Sequence, residues 1–346
     1  MLRPYELRIT NYELRITNYE LRITNYELRI TNYELRITNY ELRITNYELR
    51  MNECMNECIS PIFLFPVSME NNAVQRFRQS TSGKIGLGIT LTVIIMALLA
   101  PILNPYNPAT DRNYTARLQP PSLDYWFGTD GLGRDILDLV WYGLRTSLFI
   151  GLVSVGLGLI VGVVLGLVAG YFRGGLETVI GWVTDILLAF PSILLAIAIV
   201  TVTGPSISSV MIAVGVVQVP IFIRLTRSMV LSLREQDFVQ TVRSFGATPG
   251  RIIVYHILPA SLSPLVVQGT LSIGTATLEA AGLGFLGLGA QPPTPELGTM
   301  LSDAFKGGYS LSSPWTILFP GLFITLTVLA FNLLGDGLRD ALDPHI

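Results

Sequence analysis

Long apolar stretches separated by short polar breaks dominate the chain from Lys84 to its end. Each stretch is long enough to cross about 30 Å of hydrocarbon as a helix. We place membrane spans at Ile85–Leu103, Leu148–Gly170, Val183–Val202, Ser206–Ile223, Leu262–Gly284 and Trp315–Gly335. The pattern therefore predicts an all-α integral membrane protein with six transmembrane helices.

The distribution of basic residues predicts the orientation of these spans. Arginine or lysine residues precede the first span and crowd the segment between the fourth and fifth: Arg76, Arg78, Lys84, Arg224, Arg227, Arg234, Arg243 and Arg251. Because cytoplasmic loops carry the excess of basic residues, both termini are predicted to be cytoplasmic. Residues 69–84 then form a cytoplasmic lead-in, residues 85–147 the first span and an external segment, residues 148–335 the core domain, and residues 336–346 a cytoplasmic tail.

The first part of the chain repeats the heptapeptide Tyr-Glu-Leu-Arg-Ile-Thr-Asn without variation from Tyr5 to Asn46. Its apolar residues alternate in a strand-like pattern that lacks the seam of a coiled coil, so a β-solenoid is one alternative. We favour translation of tandem DNA repeats upstream of the true start, with Met69 as the first choice of initiator and Met51 as the second. Residues 1–68 are accordingly expected to lie outside the fold.

Composition supports the membrane assignment and excludes several classes of protein. The 346 residues are 50% hydrophobic and 14% charged, and a net charge of −2 gives no field that would attract nucleic acid. Cys54 and Cys58 are too few for a disulfide framework, and His256 and His345 exclude an H-E-x-x-H zinc protease. With neither a Walker A sequence nor a G-x-S-x-G elbow in the chain, we expect no catalytic, cofactor or metal site and no enzymatic activity.

Small residues recur at every fourth position of the second span: Ser154, Gly158, Gly162, Gly166 and Gly170. A stripe without bulky side chains lets another helix backbone approach closely. We therefore predict that this helix is packed inside the bundle or against a partner, and that the stripe has no direct ligand role.

Two acidic residues, Asp185 and Glu279, fall within predicted spans. An ionisable group in hydrocarbon is costly unless it faces a partner or an aqueous path. Each is a candidate functional residue, and the alternatives are solvation at the interface for Asp185 and a hydrogen-bonded contact with another helix or subunit for Glu279.

The polar segment 231–259 between the fourth and fifth spans carries the strongest local pattern. Phe238, Val242 and Phe245 stand at i, i+4 and i+7, which predicts a short amphipathic helix with these residues on one face. Gly246 is suited to end that helix.

A second helix is predicted directly after it. Thr248 can cap this helix, Pro249 occupies its first position, and Pro259 is expected to end it. Such a helix-turn-helix can lie on the membrane or dock into a groove on another protein, and periodicity does not choose between the two.

The same segment resembles the hallmark loop of ABC importer permeases. That loop has a Glu-Ala-Ala signature, a glycine and a closing Ile-Leu-Pro, which here read Gln240-Thr241-Val242, Gly246 and Ile257-Leu258-Pro259. The resemblance implies a pair of coupling helices seated in a cleft of a cytoplasmic ATPase. The glutamate and both alanines are replaced, although glutamine keeps the length and hydrogen-bonding ability of glutamate.

Further stretches are similar to the second, shorter permease subunit of dipeptide, oligopeptide and nickel importers: residues 127–135, 142–148, 185–192, 279–295 and 335–344. The resemblance implies a type I ABC importer permease fold in a prokaryotic plasma (inner) membrane. The partners it implies are a homologous permease, two ATPases that bind ATP and Mg²⁺, and an extracytoplasmic solute-binding protein. The implied cargo is di- or oligopeptides, with nickel chelate or glutathione as alternatives; an ATP-independent channel or secondary transporter is the alternative class.

Overall fold

The computed structural model describes residues 4–59, 74–103, 107 and 110–342. Contacts divide the chain into two compact units, Met1–Leu64 and Phe65–Ile346. In the described residues of the second unit, the structure is helical apart from loops and an isolated bridge between Thr129 and Asp135. The predicted all-α fold class is thereby confirmed.

The repeat region forms one α-helix, α1 (Pro4–Ile59). The threonine hydroxyls of successive repeats donate to the carbonyl four residues earlier, as Thr31 does to Glu27 at 2.8 Å and Thr38 to Glu34 at 2.7 Å. The strand-like interpretation of the alternating pattern is therefore wrong. Each repeat contains Glu, Leu and Arg, which favour helix, and a helix satisfies its backbone hydrogen bonds without a partner strand.

The second unit consists of helices connected in chain order. They are α2 (Thr81–Leu103), α3 (Ile136–Phe172), α4 (Gly175–Ala189), α5 (Ser192–Thr203), α6 (Ile207–Arg234), α7 (Asp237–Ser244), α8 (Pro249–Ile252), α9 (Leu258–Phe285), α10 (Leu297–Lys306) and α11 (Trp315–Leu342), with a short helical stretch at 74–79. One apolar cluster joins α3, α6 and α9 and includes Phe222, Ile257 and Leu283. A second cluster, including Val93 and Phe331, joins α2, α3 and α11.

Within the described residues, five helical segments are long and apolar enough to cross a membrane, and a sixth span results if the bent pair α4–α5 is counted as one. The five are Thr81–Ile102, Ile136–Phe172, Ile207–Arg234, Pro249–Phe285 and Trp315–Leu342. These segments match the predicted spans in number and order.

The predicted third span, Val183–Val202, is not a continuous helix. Helices α4 and α5 meet at a 95° bend. The bend follows from Pro191, which has no backbone N–H to donate and forces the preceding residue out of the helical region. Phe190 accordingly has φ −92° and ψ 139°.

Helices α3, α6 and α11 extend about two turns or more beyond their predicted spans. Helix α3 begins at Ile136, not at Leu148, and Asp135 caps it by accepting a hydrogen bond from the Leu137 N–H at 2.8 Å. Helix α6 continues past Ile223, and α11 continues past Gly335. Hydropathy reports the thickness of the hydrocarbon, and these helices continue beyond it through turns that include charged residues, such as Asp138 and Arg145 in α3.

The prediction that Pro259 ends a helix is wrong. A π-helical turn, Ile253–Ile257, joins α8 to α9, and Pro259 lies in the first turn of α9. The Leu258 N–H donates to the Ile253 carbonyl, five residues back. Because proline has no N–H and its ring crowds the carbonyl four residues earlier, the wider turn lets the helix pass this point.

Candidate functional site

The small-residue stripe of α3 packs against α6. A Cβ added to each glycine of the stripe would lie within 2.5–2.7 Å of a Cβ on α6: Gly158 to Gln218, Gly162 to Phe222, Gly166 to Thr226 and Gly170 to Val230. The opposing residues are also four apart, so the two helices interdigitate along one row. Ser154 is fully buried at the start of this α3–α6 seam, where its carbonyl lies close to Gly215.

The first helix of the predicted coupling segment (residues 231–259), α7, is anchored to the bundle by one face. Val239 is 1% exposed, and Phe238 and Val242 pack against the apolar cluster of α3, α6 and α9. Phe245, predicted on the same face, is 65% exposed. The helix ends at Ser244, so the helical phase does not extend to Phe245. The predicted face runs through Phe238, Val242 and Phe245, so it does not include Val239.

Gly246 ends α7 through a Schellman motif. Its φ is +82°, a conformation that residues with a Cβ rarely adopt. The Gly246 N–H donates to the Arg243 carbonyl at 3.0 Å, and the Ala247 N–H donates to the Val242 carbonyl at 3.3 Å. A Cβ on Gly246 would meet nothing within 4 Å, so its requirement is the backbone angle alone.

Gln240, at the position of the family's glutamate, ties α7 to the end of α6. Its Nε2 donates to the Arg234 carbonyl at 3.1 Å. The Arg234 Nη1 in turn donates to the Tyr171 carbonyl at 2.9 Å, near the end of α3. The neighbouring Thr241 hydroxyl donates within the helix, to the Asp237 carbonyl at 2.7 Å. An ionised glutamate has no donor with which to replace the Gln240 contact.

The second half of the coupling segment also has an inner and an outer side. Ile252 and Ile257 are fully buried, and Leu258 and Pro259 are half-buried. Apolar side chains face outward at Phe245, Val254 (52% exposed) and Tyr255 (64% exposed). We call these three the outward apolar residues. Sequence patterns missed Val254 and Tyr255 because the π-turn that sets their direction has no periodic signal.

The two candidate acids lie in different surroundings. Asp185, on α4, accepts a hydrogen bond from Arg224 of α6 at 2.8 Å, and both side chains are exposed. Glu279, on α9, is half-buried with Ser192 and Gln218 as side-chain hydrogen-bond partners, whereas its Oε2 has no partner among the described residues. Since Gln218 also faces Gly158, Glu279 borders the α3–α6 seam.

A buried acid that the sequence did not reveal is Glu296, the N-cap of α10. Its Oε1 accepts from the Gly298 N–H at 2.9 Å and the Ser147 hydroxyl at 3.3 Å, and its Oε2 accepts from the Thr299 N–H at 2.9 Å. Burial raises the pKa of this carboxyl to about 7, against the opposing effect of these donors. In the sequence it reads as an isolated loop charge, because Ser147 is far away along the chain.

The loop before α3, around Asp130, is ordered by side-chain hydrogen bonds. Asp130 accepts hydrogen bonds from the backbone N–H groups of Leu132 and Arg134 at 2.8 and 2.9 Å, and its Oδ2 pairs with the Arg134 guanidinium at 2.7 Å. The Trp315 indole donates to the Thr129 carbonyl at 3.1 Å and thereby joins this loop to α11. Across the described residues, no cluster of three or more His, Cys, Asp and Glu side chains is suited to hold a metal.

A bundle of candidate membrane-spanning helices with a polar helical segment between two of them is consistent with a transport permease. The profile of the "binding-protein-dependent transport system inner membrane component" family matches residues 162–346. The profile of the "N-terminal TM domain of oligopeptide transport permease C" matches residues 69–121. The chain belongs to this family, the ABC importer permeases of the dipeptide and oligopeptide type, and is a multi-pass inner-membrane protein.

Individual relatives agree with this assignment. The chain is 51% identical over 280 residues to a dipeptide transport system permease protein of Alkalihalophilus pseudofirmus, covering 81% of this chain and 91% of the relative. It is 45% identical to a dipeptide transport system permease protein of Haemophilus influenzae, covering 78% and 92%. A glutathione transport system permease protein of Escherichia coli O6:K15:H31 is 46% identical over 79% of this chain and 89% of the relative.

A solved structure of the MetNI methionine ABC transporter, in inward-facing conformations, also resembles the chain. The TM-score is 0.49 at 20% identity, covering 59% of this chain and 96% of the solved one.

Proposed function

We propose that this chain is a permease subunit of an ATP-driven importer of di- or oligopeptides. It would pair with a homologous permease, and the two would enclose the translocation path. The observation that carries this proposal is the similarity to dipeptide permeases, which extends over most of the length of both chains.

Segment 231–259 is proposed to couple transport to ATP hydrolysis. Its anchored side holds it to α6 and α9, and its outward apolar residues, Phe245, Val254 and Tyr255, offer a surface for the cleft of a cytoplasmic ATPase. Two such ATPases would bind ATP and Mg²⁺. This chain would bind neither and would carry no catalytic site of its own.

The implied cycle is alternating access. ATP binding would close the ATPases, the coupling segment would pass this motion to the helices, and the path would open toward a solute-binding protein that delivers the peptide. The helix continuity from α8 into α9 supports this role, since a displacement of the segment is carried directly into a membrane span.

Glutathione is a second candidate cargo, because glutathione permeases are among the relatives at similar identity. Nickel chelate stays a further alternative of the same class. A channel or secondary transporter would need no coupling segment, and a segment that is anchored on one side and apolar on the other favours the ATP-driven class.

Uptake in cells tests the proposal. A strain that depends on this chain for peptide uptake should accumulate labelled dipeptide, and depletion of cellular ATP should abolish the accumulation. Deletion of the chain should abolish uptake as well. Uptake of glutathione or nickel chelate without any uptake of peptide would refute the proposed cargo, and uptake that persists without ATP would refute the class.

A further inference from the structure

Asp185 and Arg224 form an ion pair on the exposed surface of two apolar helices. The Arg224 Nη2 lies 2.8 Å from the Asp185 Oδ1. The Arg224 and Asp185 side chains are 59% and 68% exposed. Both residues belong to candidate membrane spans, Asp185 in the bent pair α4–α5 and Arg224 in α6.

A second ion pair between the same helices, Glu177–Arg227, is less exposed and makes two hydrogen bonds. Arg227 donates to the Glu177 Oε1 from both Nε, at 3.1 Å, and Nη2, at 2.6 Å, and the Glu177 side chain is 23% exposed. This pair fastens α4 to α6.

The Asp185–Arg224 pair, by contrast, uses only part of its hydrogen-bonding groups. One hydrogen bond joins the two side chains, so within the described part of the chain the Asp185 Oδ2 and the remaining donors of the Arg224 guanidinium have no protein partner. The Glu177–Arg227 pair already fastens α4 to α6. That role therefore does not account for the hydrogen-bonding groups of Asp185 and Arg224 that have no protein partner.

The surface around Asp185 is open. Gly181 and Ala189 stand one helical turn before and after it, on the same face of α4. A Cβ on Gly181 would meet nothing within 4 Å, and Ala189 is exposed. Trp182 and Leu188, at the i±3 positions, are exposed as well, so the carboxylate lies on an uncovered face of α4.

Membrane energetics restrict what can cover this pair. Charged side chains within spanning segments face the interior of a bundle or a water-filled cavity, because exposure to hydrocarbon is costly. The face of α4 and α6 that carries Asp185 and Arg224 therefore borders water or protein and not lipid.

We propose that Asp185 and Arg224 line the translocation path and bind the charged termini of passing peptides, one terminus at a time. Asp185 binds the ammonium group, and Arg224 binds the carboxylate with its fork of N–H donors. With no peptide present, the two side chains neutralise each other, as in this structure. Contacts confined to the termini accept peptides of any side-chain composition, so this inference rests on the proposed peptide cargo.

Cysteine labelling tests the location. In the complete importer, with Cys54 and Cys58 replaced by serine, Asp185→Cys should react with a membrane-impermeant, charged thiol reagent about tenfold faster than Ile212→Cys. Ile212 is the matched control because it is an exposed apolar residue of α6. Equally slow labelling of the two positions would overturn the proposal.

Uptake of labelled dipeptide tests the recognition. Asp185→Asn and Arg224→Gln should each lower uptake about tenfold, since each removes a charge-assisted hydrogen bond to the cargo. The yield of folded complex should stay normal in both variants. A parallel loss of yield and uptake would show a purely structural pair, and single variants within about twofold of wild type would also contradict the assignment.

Asp124→Asn is the control, because Asp124 is exposed and lies outside the candidate spans and outside segment 231–259. This variant should leave uptake unchanged. Failure of the cargo proposal is distinguishable from failure of this inference. A wild-type importer that takes up no peptide refutes the cargo, whereas the labelling rates report water access whatever the cargo is.

Discussion

Gly162 in the α3–α6 seam and Gly246 in the coupling segment are both glycines for backbone reasons, but the reasons are opposite. A Cβ on Gly162 would lie 2.5 Å from the Phe222 Cβ and 2.8 Å from the Val219 carbonyl oxygen, although its own conformation is ordinary helix. A Cβ on Gly246 meets open space, but its φ of +82° disfavours any side chain. The seam is limited by space and the coupling segment by conformation.

The comparison separates the parts of the permease that must stay fixed from those that face a partner. In the seam, backbone approaches backbone, and a substitution has no room to be accommodated. In the coupling segment, substitutions act on a local turn or on a few anchoring contacts. We therefore expect seam variants to lose the fold and coupling variants to lose transport while the protein stays folded.

The largest effect is expected for Gly162→Leu. The side chain would force α3 and α6 apart, at a cost above about 3 kcal/mol, since overpacking already costs ~1–3 kcal/mol where the neighbours can yield. The yield of monodisperse protein after detergent extraction should fall to background. Gly156→Leu is the control on the same helix, because a Cβ at Gly156 meets nothing within 4 Å. Equal loss of both variants would contradict the seam argument.

The next effect is expected for Val239→Asp. A buried carboxyl group without a hydrogen-bond partner costs about 2–3 kcal/mol even in its protonated form, enough to release α7 from the bundle. Limited proteolysis should then cut the segment 231–259 faster, and uptake should be lost while extraction yield stays normal. Phe245→Asp, at an exposed position, should lower uptake without faster cleavage. Faster cleavage of the Phe245 variant would show that this side chain anchors the segment after all.

A smaller effect is expected for Gly246→Ala. Forcing a residue with a Cβ into the left-handed region costs about 1 kcal/mol. The coupling segment should become more susceptible to protease by about fivefold, with the extraction yield unchanged. Gly250→Ala is the matched control, since Gly250 lies in α8 with open space around its Cα. Identical behaviour of the two variants would mean that the turn adapts.

The smallest effect is expected for Gln240→Glu, which restores the family's usual residue. The change removes the donor to the Arg234 carbonyl and places a negative charge at the C-terminal end of α6, a cost of about 1 kcal/mol. Coupled ATPase activity should fall modestly and recover in part at higher salt, which screens the charge. Gln240→Leu should show the loss without the salt dependence. A gain in coupling by Gln240→Glu would indicate that the ATPase contact outweighs the internal bond.

The fold was predictable where one physical requirement dominates. Span number follows from hydrocarbon thickness, and the role of Gly158 and its neighbours follows from four-residue spacing alone. Helix lengths and the break at Pro191 were missed because polar turns and bends lie outside what an apolar stretch reports. Pro191 itself was the available signal.

The candidate site was predictable in its outline and not in its contacts. Gly246 could be assigned from its type and position, but the outward direction of Tyr255 depends on a π-turn without periodic signal. The burial of Glu296 depends on Ser147, and the pairing of Asp185 depends on Arg224, which are distant along the chain. Such long-range contacts are set by packing, which no local pattern contains.

The π-turn at Ile253–Ile257 also fixes how the coupling segment is aimed. A π-turn holds one residue more than an α-turn, so α8 is rotated about its axis by about 100° relative to a continuous α-helix leading into α9. Insertion or deletion of a single residue at this place would turn the face that is proposed to meet the ATPase without disturbing the span. The turn is therefore a position at which the orientation of the proposed ATPase-binding face can change while the membrane-spanning helix keeps its structure.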